Sequence, residues 1–102
     1  MLFMTINDRY DELMKTIDEL KKNSPRMKRI GTQIVNTIYR FMQFELKINW
    51  DHDDEEQRKY ILCAFFDNKY FDDMRFANRY GVGQGQISYI KAVDRMVRER
   101  SF

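Results

Sequence analysis

DDMRFANRYGVGQGQISYIKAVDRMVRER, residues 72–100, is the stretch that decides how this chain is read. Three of the four glycines fall inside it, at Gly81, Gly83 and Gly85. Apolar residues return at helical spacing on both sides: Phe76 and Tyr80 before the glycines, Ile87 and Ile90 after them. The pattern predicts a short helix, a glycine-bearing turn and a longer helix over about 84–97.

The twenty residues from Asp73 to Ala92 resemble the helix-turn-helix superfamily of DNA-binding proteins, such as phage repressors and many bacterial regulators. That family asks for an apolar residue fourth, a small one fifth, an apolar one eighth and glycine ninth. Apolar residues follow at the tenth, fifteenth and eighteenth places. Here those places hold Phe76, Ala77, Tyr80, Gly81, Val82, Ile87 and Ile90. Each match has a physical reason. Ala77 is expected to sit at a steep, close helix crossing, and Gly81 to end the first helix with positive φ. Val82 plugs the corner, while Phe76, Tyr80, Ile87 and Ile90 pin the second helix against the first.

The resemblance implies a recognition helix starting near Gln84, whose N-terminal residues enter the major groove of duplex DNA. It assigns base contacts to Gln84, Gln86, Ser88 and Tyr89, with Gly85 between them. Backbone phosphate contacts fall to Arg75, Arg79, Lys91, Arg95 and Arg98. Glutamine can bond adenine in a bidentate manner, so two glutamines and no arginine among the readers lean toward A·T pairs. One place departs from the family. Gly83 stands where serine or threonine commonly caps the recognition helix, and Gly85 loosens the first turn again.

Outward from this stretch, the chain reads as helix throughout. Ile6, Tyr10, Leu13, Ile17 and Leu20 form a heptad-like seam, on a helix from about Asp8 to Lys22 capped by Thr5 or Asn7. Ser24 and Pro25 suit the cap and first position of a second helix, expected to run to about Ile48. Met27, Ile30, Ile34, Ile38 and Phe41 make one stripe on it; Val35, Tyr39, Met42 and Leu46 make another. So wide an apolar arc predicts two partners, one of them a second copy of the chain. Asp51–Glu56 is an acidic loop with Asp53 or Asp54 as a cap. Tyr60–Phe66, apolar nearly all round, reads as a buried central helix.

The expected fold is all-α, a small domain of about five helices with a C-terminal helix-turn-helix. Residues 1–102 form one domain. Within it, 1–50 is a helical hairpin suited to dimerisation, and 51–102 is the central helix plus the helix-turn-helix.

Charge is uneven along the chain. Residues 24–50 and 74–102 each carry a net +4, residues 51–73 carry −5, and residues 1–23 carry −1. The acidic segment is expected to face away from phosphate. The lone Cys63 fits a reducing, cytoplasmic setting. No apolar run approaches the roughly 18 residues of a membrane span, and the start MLFMTINDRY is unlike a signal peptide.

Other signals are weaker. Glu45-Leu46-Lys47 echoes a nuclease carboxylate–lysine pair but lies in a helical stretch. Asp51, Asp53 and Glu55 alternate as in a calcium loop, yet Glu56 holds the place that needs glycine. His52 and Cys63 are each the only residue of their kind, too few for a zinc site. The expectation is therefore a non-enzymatic factor with no cofactor and no metal, binding double-stranded DNA as a transcriptional regulator of phage or mobile-element kind. The alternative is a small helical protein that inhibits or recruits a host complex such as a polymerase or nuclease.

Overall fold

The computed structural model describes residues 5–100. It is 79% helical, and no strand occurs among the described residues. Five α-helices follow in order: α1 Ile6–Lys21, α2 Pro25–Arg40, α3 Glu55–Asp67, α4 Met74–Arg79 and α5 Gln84–Arg100. A π turn, Phe41–Glu45, extends α2, and a 3-10 turn, Tyr70–Asp72, precedes α4. Among the described residues, no helix is long and apolar enough to cross a membrane.

Side-chain caps set the starts of the first four helices. Thr5 Oγ1 accepts from the Asp8 amide at 3.1 Å while the Asp8 carboxylate accepts from the Thr5 amide, a reciprocal box. Ser24 Oγ accepts from the Met27 amide, with Pro25 at the first helical position. Asp54 caps α3 and Asp73 caps α4 through their carboxylates. Helix α5 instead begins on Gly83, which has no side chain to offer.

The second helix departs from expectation. Regular α-helix stops at Arg40, the backbone widens over Phe41–Glu45, and Lys47 turns the chain with a left-handed φ of 54°. Residues 46–50 then fold back. Trp50 stacks 5.1 Å from Tyr39, whose hydroxyl donates to the Arg58 carbonyl at 3.1 Å. Burial pushes the Tyr39 hydroxyl pKa well up. Of the second α2 stripe, read as a face for another copy, Met42 is buried and Val35, Tyr39 and Leu46 pack partly buried against this chain's own core. Helix α1 packs on α2, α3 and α5.

Helix α3 runs through the centre, with Ile61, Leu62, Cys63, Phe65 and Phe66 buried. Tyr60 is the exception to the expected apolar run and stays exposed. Phe41, at the end of the buried α2 stripe, meets Phe65, Phe76 and Tyr80 edge-on at 5.2–6.2 Å between ring centres.

Helix α5 is held along its length. Tyr89, Ile90 and Val93 face the core. The Tyr89 hydroxyl donates to the Ile17 carbonyl at 2.6 Å, and Arg100 donates to Glu19 at 2.7 Å and to Thr16 at 3.3 Å. Gly31 makes room where α1, α2 and α5 meet. A Cβ there would lie 2.5 Å from the Tyr89 hydroxyl and also strike the Lys21 side chain.

Candidate nucleic-acid interface

Four residues, Tyr80–Gly83, join α4 to α5. Gly81 sits among them at φ 65°, the left-handed value that an L side chain resists. Val82 is buried at the corner and Phe76 is fully buried behind it. Ala77 is half-buried and borders a crevice of about 380 Å³ shared with Met74, Gln84, Ile87, Ser88 and Lys91.

The residues expected to read bases separate into two groups. Gln84 and Ser88 are exposed and, with Lys91 and Arg95, recur at spacings of four, three and four along α5. That spacing places all four on one face. Tyr89 is corrected. It is 2% exposed, points at α1, and cannot reach a base. The cause is the three-helix junction around Gly31, which draws the ring inward. Gln86 is half-buried on the side of α5 that faces α2, beside Ile30 and Gln33, and not on the row with Gln84.

The expected phosphate contacts are mostly engaged already. Arg79 pairs with Glu45 at 2.5 Å, and Arg75 pairs with Asp73 at 2.8 Å and with Glu45 at 3.9 Å. Lys91 lies 3.5 Å from Asp72, and Arg98 lies 3.0 Å from Asp94. Arg95 alone of the five has no acidic partner among the described residues. The acidic segment consequently does not turn wholly away from the basic one, since Asp72 and Asp73 meet Lys91 and Arg75 directly. The Arg75 guanidinium holds the Asp73 carboxyl below the usual carboxylate range. Because that pKa is depressed by folding, the pair's contribution is present above the ordinary carboxylate pKa and is lost as pH falls through the folded value.

Glu45 is the hinge of this charge arrangement. Its side chain is only 12% exposed, and the π turn holds it under α4 between two arginines. If the chain binds duplex DNA, Glu45→Gln is expected to free Arg79 while Arg75 stays on Asp73, to raise affinity for random duplex and to steepen its salt dependence by about one. Fold stability should fall only modestly, by about 1 kcal/mol. Filter binding across a salt series checks it, and unchanged or weaker binding would count against a competition between Glu45 and phosphate.

Two further cations escaped the sequence reading. Arg26 and Arg29, on the first turns of α2, face the start of α5 across a groove of about 550 Å³ lined also by Gln33, Gly81, Gly83, Gly85 and Gln86. The net charge of residues 24–50 was the signal that could have found them. What the sequence lacked was the packing of α2 beside the α4–α5 connection. The Asp51, His52 and Asp53 side chains approach one another in the exposed loop before α3. They also serve local turn chemistry, Asp51 accepting from the Asp53 amide at 3.0 Å.

Comparison with family models, with curated proteins and with solved structures gives no match to this chain.

Proposed function

We propose that α4, the Tyr80–Gly83 connection and α5 act as a helix-turn-helix, and that the chain binds duplex DNA through the N-terminal face of α5. The observation that carries this reading is the row Gln84, Ser88, Lys91 and Arg95. These four exposed polar side chains start at the first residue of a helix that projects from a left-handed glycine corner. Gln84 and Ser88 have the donors and acceptors to read base edges. Arg95 meets a phosphate directly, and Lys91 and Arg98 do so by exchanging their carboxylate partners for it.

Binding to selected and random duplexes across a salt series tests the proposal. Gln84→Ala should weaken a preferred sequence by about 1–3 kcal/mol and leave random DNA nearly untouched. Arg95→Ala should weaken all sequences alike and lower the salt slope by about one. A wild-type chain that binds neither duplex at low salt overturns the reading.

A second reading is favoured by two observations. Four of the five expected phosphate contacts are already paired with carboxylates, and Met74 stands 74% exposed at the edge of the α4–α5 crevice. Both suit a protein partner, such as a host polymerase or nuclease complex, whose binding would survive salt that strips DNA. Pairing of two copies rests on the argument that one such unit reads only a short half-site. The α2 stripe offered for it is buried or partly buried within the chain.

A further inference from the structure

We propose that the groove between the start of α2 and the start of α5 is a second phosphate-gripping element, in which Arg26 and Arg29 hold the backbone of duplex DNA beside the α5 face. This deepens the DNA-binding reading and rests on it.

Three observations converge on the groove. The first is charge. Arg26 and Arg29 are exposed, lie three residues apart on one helix, and have no acidic partner among the described residues. No acid lines the groove, whereas four of the five basic residues expected around α4 and α5 are matched to carboxylates. An uncompensated pair of guanidiniums facing one cleft is a surface for a polyanion.

The second is the opposite wall, built from residues without side chains. Gly81 needs its glycine for positive φ. Gly83 does not. Its φ is ordinary, and a Cβ there would point into open space. The fold would even gain from serine or aspartate at this place, which caps α5. What its absence leaves open is access to the backbone. The Gly83 carbonyl accepts from the Gln86 and Ile87 amides, but the Gln84 and Gly85 amides have no partner among the described residues. A glycine that the fold does not require, next to free amides and facing two free arginines, suits the close approach of a phosphate.

The third is the placement of Arg26. Its guanidinium occupies the space where a Gly85 side chain would stand. Gly85 therefore lets the cation sit against α5 itself, so that Arg26 and the row from Gln84 flank the same helix end. A duplex whose major groove takes Gln84 and Ser88 would bring a flanking strand to this cleft.

The experiment compares wild type, Arg26→Ala/Arg29→Ala, Gly83→Asp and Arg95→Ala for binding to a short random-sequence duplex across a salt series. Melting temperature is followed for each. The double arginine variant should melt close to wild type, because neither side chain has an acidic or hydrogen-bonding partner among the described residues. It should bind roughly tenfold or more weakly, with the salt slope lowered by about two. Gly83→Asp should melt at the same temperature or higher, since the carboxylate caps α5, yet bind more weakly because it repels phosphate. Improved folding with worse binding is a combination that a purely structural glycine would not give. If Arg95→Ala weakens binding and the double arginine variant does not, the groove proposal falls while the α5 reading stands. If wild type binds no duplex at low salt, both fall.

Discussion

Phe41→Ala is expected to cost about 3–5 kcal/mol of folding stability. The ring has no exposed surface, and it is met edge-on by Phe65, Phe76 and Tyr80. Two of those neighbours, Phe65 and Phe76, are themselves fully buried, so they cannot swing in to fill the space without leaving holes of their own. Deleting the ring therefore loses both the transfer free energy and the edge-to-face contacts. Against a total of about 5–15 kcal/mol for a domain of this kind, that is a large share. Urea denaturation followed through Trp50, the single tryptophan, gives the measurement. The midpoint should fall with the slope unchanged. A loss under about 1 kcal/mol would mean that the aromatic cluster can collapse around the gap, contrary to its close packing.

Gly31→Leu should cost a similar amount, about 3 kcal/mol, by the opposite route of overpacking. Even the first added carbon would press on the Tyr89 hydroxyl at 2.5 Å and on the Lys21 side chain. Lys21 can move aside. Tyr89 cannot, because its hydroxyl is fixed to the Ile17 carbonyl and its ring is enclosed. Gly31→Ala is the milder test, since alanine returns about 1 kcal/mol of helix propensity while creating the same clash. Adding Tyr89→Phe to Gly31→Ala should then relieve part of the damage, although Tyr89→Phe alone costs about 1 kcal/mol in a lost hydrogen bond. A double-mutant cycle on melting temperature reads this coupling, and strictly additive losses would show that the oxygen does not set the spacing.

Much of the fold was legible because local signals agreed with one another. Ser24-Pro25 and the Asp54 cap mark helix starts through chemistry that acts within a few residues. The glycine corner at Gly81 was equally local. The candidate site was less legible, for a related reason. Tyr89 sits at an outward place in the motif, and only the approach of α1 and α2 at Gly31 turns it inward. The pairing of Arg79 with Glu45 spans 34 positions of chain, which no local pattern reports. The groove at Arg26 and Arg29 likewise exists only because α2 lies beside the α4–α5 connection. Charge counts indicated the basic segments, but they could not say which cations would be neutralised.

The π turn at Phe41–Glu45 acts as a frame change in the hydrophobic pattern. Had the α-helix run on unbroken, Glu45 would follow Phe41 by four places and share its inward face. The wider turn stacks Leu46 over Phe41 instead, with the Leu46 amide bonded to the Phe41 carbonyl at 3.2 Å. One inserted residue thus exchanges an acid for an aliphatic side chain at the edge of the core. The displaced carboxylate is left at the rim, where it can hold or release two arginines. A single deletion within 42–45 would bring Leu46 to four places after Phe41, so that a regular α-helix could keep the same stacking with no wider turn.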